Sequence, residues 1–312
     1  MIVCLAANPS VDRLFEVERL VKGDIHRPSG FVQVPGGKGL NVARAARALG
    51  AEASVVALLR GHSGRWLQEA LAAEGVEGTF VWTHGESRSS LSVADRETAA
   101  LTEFYEHGAV APDAAWVELT HAAVARCSPG AWLTISGSMP RGAPDEGYRD
   151  LIAEVRDAGV RVALDAEGER LRLALAAGPD VVKVNVAEAG DLLGVPTARR
   201  DDSLAAASKI RHMAGGDGHV GIVTRGAEGV MLAGPDGTLH EGVLYVRGRY
   251  PVGSGDSFLA GLVAALDRAM GWEDALRAAL GAGAANAELP GAARLDPSRA
   301  RALAERADVH LI

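Results

Sequence analysis

The sequence predicts an α/β protein: a three-layer α/β/α sandwich on a mostly parallel central sheet, with a small β-sheet lid. Short β-branched runs alternate with longer amphipathic stretches from the start to about residue 235. That rhythm is the pattern of βαβ units and of a parallel sheet. Two segments, 12–35 and 79–104, break it with short alternating runs such as Phe31-Val-Gln-Val34 and Ser90-Leu-Ser-Val-Ala94. They read as strands of the smaller sheet, lying over the crevice of the larger one. The economical organisation is a single domain over residues 1–312.

Val55–Leu59, Trp132–Ile135, Val160–Leu164, Val181–Val184 and Val220–Val223 read as buried strands. Between them, Asp145–Ala158 and Ser203–Met213 read as amphipathic helices. Ser136, Asp165, Asn185 and Thr224 stand at or just after strand ends. Ligands of open α/β sheets bind outside those carboxyl ends, so topology alone makes these four residues candidates.

Composition narrows the function. With 32 basic and 40 acidic side chains the net charge is −8. This argues against nucleic acid, whose binding energy comes mainly from Lys and Arg on phosphates. A small anionic substrate met by a few local cations remains compatible. Cys4 and Cys127 make no disulfide framework and belong to no zinc-type cluster, which suits a reduced, cytoplasmic setting. No uncharged apolar stretch is long enough for a membrane helix, and the first residues lack the basic region of a signal peptide.

The sharpest local signal is Pro251-Val-Gly-Ser-Gly-Asp256, opening into a helix read as Ser257–Met270. Gly253 and Gly255 allow a tight turn, and N–H groups at a helix start form an anion site. Asp256 beside that site suits taking a proton from a hydroxyl that attacks phosphorus, or it is an ordinary N-cap. Val34-Pro-Gly-Gly-Lys38-Gly-Leu-Asn41 also enters a helix and suits gripping a polyol or phosphate. Because Gly39 follows Lys38, it is no Walker A loop. Asp12 reads as a loop carboxylate able to accept from sugar hydroxyls, and Arg88 as a fork for phosphate. Asn185 and Glu188, three apart at a helix start, are both a capping pattern and a donor pair for a hydrated divalent cation. The histidines fall in no metal motif, and no GxGxxG or GxSxG sequence supports a dinucleotide enzyme or a serine hydrolase.

Taken together and in order, Asn8-Pro-x-x-Asp12, Gly36-Gly-Lys-Gly-x-Asn41, Ser136-Gly-Ser-x-Pro140, Lys183-x-Asn185-x-x-Glu188 and Val252-Gly-Ser-Gly-Asp256 resemble the PfkB (ribokinase-like) family of carbohydrate kinases. Thr102-Glu-Phe-Tyr-Glu-His-Gly108, the Asn-Pro opening and Arg88 are similar to its phosphosugar branch of 1-phosphofructokinases, minor 6-phosphofructokinases and tagatose-6-phosphate kinases.

The resemblance implies a ribokinase-like fold, a lid often used as a dimer clasp, and transfer of the ATP γ-phosphoryl group to a sugar-phosphate hydroxyl with Mg²⁺. It implies Asp256 as base, with the N–H groups of Gly253, Ser254 and Gly255 holding the transferring group. Asp12, Gly37, Lys38 and Asn41 would hold the sugar, and Arg88 its phosphate. Lys183, Asn185 and Glu188 would serve nucleotide phosphates and Mg²⁺, while Thr224, Gly226 and Gly229 line the nucleotide site. Asn286 and residues 247–249 are further candidates near the adenine.

Several departures bear on the sugar. Val184 replaces the family's usual proline, Ala166-Glu-Gly168 replaces a hydroxyl-rich turn, and His107 stands where proline is common. Asp24 occupies a stretch where one branch carries a basic residue, with Arg27 nearby as a substitute. Kinases of unphosphorylated sugars or nucleosides, and a binding protein that kept the fold, are the alternatives.

Overall fold

The computed structural model describes residues 1–246 and 248–312. The chain opens with β1 (Ile2–Ala6), β2 (Ser10–Val17), β3 (Gly30–Gly36), α1 (Lys38–Ala48), β4 (Ala53–Arg60), α2 (Gly61–Ala73), β5 (Glu77–Thr83), β6 (Arg88–Asp95) and β7 (Leu101–Tyr105). It continues through α3 (Asp113–Arg126), β8 (Trp132–Ser136), α4 (Gly147–Asp157), β9 (Arg161–Asp165), α5 (Gly168–Leu175), β10 (Val181–Asn185), α6 (Val186–Leu193) and α7 (Arg200–Met213). It ends with β11 (Val220–Thr224), β12 (Val230–Ala233), β13 (Leu239–Val243), α8 (Ser254–Asp267), α9 (Trp272–Ala287), α10 (Pro297–Ala304) and β14 (Asp308–Leu311).

β1 shows why the sheet needs two covering layers. All five of its residues are buried, and alternate side chains point to opposite faces. Ile2 and Cys4 join an apolar cluster with Leu40 of α1 and Leu259 of α8. Val3 and Leu5 join a second cluster with Leu119 of α3 and Leu151 of α4. A strand apolar on both faces is stable only between two helical layers.

The main sheet runs β14-β13-β12-β11-β10-β9-β8-β1-β4-β5. Neighbours from β11 to β5 are parallel, and β12, β13 and β14 pair antiparallel. From β1 the chain builds outward to β5, then returns to lay β8 on the other side of β1. The strand order therefore reverses between β1 and β8, and a crevice opens there at the carboxyl ends. Register aligns those ends: Ser136 lies beside Asp165, and Asn185 beside Thr224.

The second sheet has the order β3-β2-β6-β7. Its boundaries correct the sequence reading in two places. Residues 79–83 belong to β5, which pairs with β4 in the main sheet, because an amphipathic edge strand alternates just as a lid strand does. Asp12 is on no loop: it sits within β2, paired with Val34 and Ser90. The helix read as Ser257–Met270 is α8, Ser254–Asp267, shifted three residues toward the N-terminus. The glycine turn itself forms its first turn, and Ala269, at φ 57°, ends it. Cys4 and Cys127 are both free thiols. Among the described residues no helix is long and apolar enough to cross a membrane.

Candidate active site

A cleft of about 1330 Å³ lies at the reversal point, between the strand ends and the second sheet. Asp12, Gly37, Lys38, Asn41, Arg88, Lys183, Asn185, Glu188, Thr224, Gly226, Gly229, Gly253, Ser254, Gly255 and Asp256 all line it.

The N-termini of α1, α6 and α8 all open onto this cleft. α8 starts from Gly253, whose φ of 82° is the left-handed conformation. A side chain there would be strained, and its Cβ would come within 2.7 Å of Ala293 N. Gly253 is thus the N-cap, and Asp256 stands in the first turn without capping it. The capping reading of Asp256 is thereby excluded. Ser254 departs from expectation, because its N–H already donates to Pro251 O at 3.1 Å. The N–H groups of Gly253, Gly255 and Asp256 have no partner among the described residues. Three donors at the positive end of a buried helix make a ready site for an anion.

The Asp256 side chain is turned toward α1. It is 6% exposed, and its Oδ2 accepts from Asn41 Nδ2 at 2.8 Å. Burial, then the neighbouring Asp165 charge, push its carboxyl up to about 6, against the opposing pull of Lys38, Lys183 and the Asn41 bond. It is ionised at neutral pH yet a better proton acceptor than an ordinary carboxylate.

Asp165 lies beneath the cleft and links the lysines that line it, and the sequence flagged it only as a strand end. It is fully buried, with Oδ2 accepting from Lys183 Nζ at 2.6 Å and Oδ1 from Lys38 Nζ at 3.0 Å. Burial alone would raise its carboxyl, but the two ammonium groups outweigh that and hold it below the usual range. Lys38 also donates to Glu188 Oε1 at 3.2 Å. Asp165 and Glu188 together hold the Lys38 ammonium charged, against burial. It is held between those carboxylates and lines the cleft, where the resemblance assigns it to the sugar. Lys183 reaches the start of α8, where a Cβ on Gly255 would lie 3.0 Å from its Nζ.

Asn185 and Glu188 form a complete capping box on α6: Asn185 Oδ1 accepts from Glu188 N at 2.9 Å, and Glu188 Oε2 from Asn185 N at 2.8 Å. Among the described residues no group of three or more His, Cys, Asp or Glu could hold a metal ion. One carboxylate and one amide oxygen, each with a lone pair to spare, fit a hydrated Mg²⁺ carried on phosphates and do not make a protein cage.

The second sheet supplies the other wall. Asp12 is half-buried, and desolvation raises its carboxyl above the ordinary value, against bonds from Ser10 and the nearby Arg88 charge. Arg88 begins β6 and donates from Nε to Asn8 O at 3.1 Å. Asn8 in turn donates to Ser138 Oγ at 3.1 Å, tying the first crossover to the loop after β8. Glu103, Tyr105 and His107 of the Thr102–Gly108 segment line the cleft, as do Arg141 and Arg170, which the sequence reading missed. Arg141 on a loop and Arg170 on α5 stand alone in the sequence, with no pattern that would have found them. Arg27 is exposed and does not line the cleft, so it does not replace the missing basic residue within this chain.

Thr224 and Gly226 sit at the end of β11, with Thr224 Oγ1 donating to Val184 O at 3.3 Å. Gly229 packs its Cα on the Gly242 carbonyl, where a Cβ would come within 2.2 Å. Asn286 is fully buried and donates to Val252 O and Ser254 Oγ at 2.9 and 3.1 Å. It braces the glycine turn and does not line the cleft. Of the residues 247–249, Arg247 lies outside the described residues, and Gly248 is at the cleft edge.

Comparison with known proteins gives this arrangement its class. Residues 2–299 match the pattern described as pfkB family carbohydrate kinase. The chain is 32% identical over 280 residues to a 1-phosphofructokinase of Haloferax volcanii, covering 89% of this chain and 88% of that one. It is 27% identical over 289 residues to a tagatose-6-phosphate kinase of Staphylococcus epidermidis, covering 92% of both. Phosphofructokinase-2 of Escherichia coli, solved in complex with substrates and products, superposes with a TM-score of 0.90 over 98% of each chain at 27% identity. The protein is a carbohydrate kinase with the ribokinase-like fold. It belongs to the pfkB family.

Proposed function

We propose that the chain transfers the γ-phosphoryl group of ATP to a hydroxyl of a phosphorylated ketohexose, with Asp256 as general base. The observation that carries this reading is the pairing of a buried, raised carboxylate with three free N–H groups on one helix start. In the step, the sugar O–H bond breaks and its proton passes to Asp256. The oxygen forms a bond to the γ-phosphorus, and the bond to the β-phosphate oxygen breaks to release ADP. Phosphoryl transfer of this kind needs mainly positioning and charge stabilisation. The N–H groups of Gly253, Gly255 and Asp256 supply the latter at the transferring group, with Lys183 alongside.

Mg²⁺, held through water by Glu188 and Asn185, would neutralise charge on the nucleotide phosphates. Thr224 and Gly226 border the nucleotide's end of the cleft, with Leu244, Val246 and Ala284 offering apolar surface for a purine. Asp12 and the Asn8–Ser138 pair suit sugar hydroxyls, and Arg88 suits the sugar's own phosphate. A homodimer clasped through the second sheet belongs to the same reading, since Phe31 and Phe104 are more than half exposed there. It rests on analogy with the family and is read out by sedimentation.

The test is ADP release with Mg·ATP across fructose 1-phosphate, fructose 6-phosphate, tagatose 6-phosphate, fructose, ribose and adenosine. A kcat/KM preference of about 10²-fold for one phosphorylated ketose, equal to roughly 2.7 kcal/mol, is expected. Preference for an unphosphorylated acceptor would sink the assignment of substrate. Asp256→Asn is expected to keep nucleotide binding and lose at least about 10²-fold in turnover; near-normal turnover would remove the base.

A further inference from the structure

We propose that Asn41 is the positioning residue of the base: its side-chain amide holds the Asp256 carboxylate in the orientation that presents the other oxygen to the acceptor hydroxyl. The inference rests on the reading of Asp256 as base and gives Asn41 a role other than sugar contact.

The geometry is specific. Asn41 lies three residues after Lys38 on α1 and is 3% exposed. Its own N–H donates to Gly37 O at 3.0 Å, so its backbone is fixed by the first turn of α1. An ionised carboxylate only accepts, so the amide must turn its Nδ2 to Asp256 Oδ2, and the 2.8 Å separation is that of a charge-assisted bond. On the other side of the amide, the buried Asn41 Oδ1 has no partner among the described residues. The bond to the carboxylate is what holds the amide in this orientation. With Oδ2 engaged, Oδ1 of Asp256 is the oxygen left for a proton.

Asp256 is faced by Asp165 from β9, Lys38 from α1 and Lys183 from β10, besides Asn41. Among the described residues, Asn41 is the one neutral side chain that donates a hydrogen bond to it. Removing that donor leaves burial and Asp165 opposed by the two lysines alone, which favours the protonated form. Turnover would then fail at a higher pH than in the native enzyme. A residue that merely holds the sugar would move KM and leave the pH profile of kcat in place.

The experiment is the pH dependence of kcat and KM, with Mg·ATP and the preferred sugar phosphate, for the native chain, Asn41→Ala and Asn41→Asp. Melting and nucleotide binding are followed in parallel. For Asn41→Ala we expect kcat to fall at least about tenfold at neutral pH and its acidic limb to move up by about one pH unit. The sugar KM should stay within about threefold. Asn41→Asp places a second carboxylate against the first, so the pair shares a proton and the limb moves further, with turnover partly regained under alkaline conditions. If Asn41→Asp does not fold, the Asn41→Ala profile decides alone.

An unmoved limb with a sugar KM raised about tenfold or more would overturn the inference and return Asn41 to the sugar. An unmoved limb with unchanged kcat would overturn it too. Asp256→Asn separates the two levels. If that variant is inactive while the Asn41 profile is unmoved, only the inference fails; if it turns over normally, the base and the inference fall together.

Discussion

Of the helices that begin at the cleft, α6 and α8 begin in opposite ways. α6 closes its own N-terminus with the Asn185–Glu188 capping box and ends on Gly194 in the left-handed conformation. α8 begins on a glycine with no side-chain cap, and its acidic first-turn residue bonds across to α1 instead of to its own backbone. A side-chain cap is worth about 1 kcal/mol, so α8 forgoes stabilisation that α6 takes. What α8 keeps in exchange is a set of N–H groups free for a ligand. A helix start left open inside a well-packed protein marks the place where something else is meant to complete it.

The contrast is broken most severely at Gly253. Its φ of 82° and the 2.7 Å approach of a Cβ to Ala293 N mean that Gly253→Ala must rotate or displace the start of α8. Loss of aligned N–H donors at a transferring anion is worth about 10²–10³ in kcat. We expect a fall of that order, with sugar KM little changed. An Ala variant of native kcat would show that the open helix start plays no part in turnover.

Next comes the cost in stability of the proposed base. Asp256 has an ordinary carboxyl value of 3.8 and is raised to about 6 in the fold. The folded state therefore binds its proton more tightly than the unfolded chain does. By linkage, stability falls as pH rises from about 4 to about 6 and stays low above that. At about 1.4 kcal/mol per unit, the penalty at neutral pH is on the order of 3 kcal/mol. Asp256→Asn, inactive by expectation, should thus be the more stable protein at pH 7, with the difference shrinking toward pH 4. Denaturant melts at the two pH values read this directly, and a constant difference would contradict the buried-charge account.

Much of this was legible in the chain, and what was missed has physical causes. Each of the five buried runs ends within a residue or two of where the strand does, because a polar residue after an apolar run is where a buried strand must meet solvent. The Gly-Ser-Gly turn was legible as an anion site but not as helix, since three residues of poor helix propensity look like loop until tertiary packing on Ala292 and Ala293 fixes them. Residues 79–83 looked like lid because an edge strand of the main sheet alternates in the same way. The pairings were beyond sequence reasoning altogether. Asn41 and Asp256 are 215 residues apart, and Lys38 and Asp165 are 127 apart. No spacing rule reaches across such distances; only the order reversal of the sheet brings those strand ends together.

The smallest effect tests the other side of the comparison. Asn185 caps α6 through Oδ1 and stands at the end of β10, beside Thr224. If its part is chiefly architectural, Asn185→Ala loses one cap and costs about 0.5–2 kcal/mol of stability. Glu188 would remain close to Lys38, since the Lys38 bond uses Oε1 and the box uses Oε2. Turnover at saturating Mg·ATP should then fall by less than about tenfold, and the Mg²⁺ concentration for half-maximal rate should rise only modestly. Asn185→Asp keeps an oxygen acceptor for the Glu188 N–H, so it should recover the cap while adding a charge at the cleft. Recovery of stability in Asn185→Asp with an altered Mg²⁺ requirement would separate the two duties of the residue. Should Asn185→Ala abolish turnover while melting like the native chain, the capped helix would prove as chemical as the open one, and the contrast between α6 and α8 would be lost.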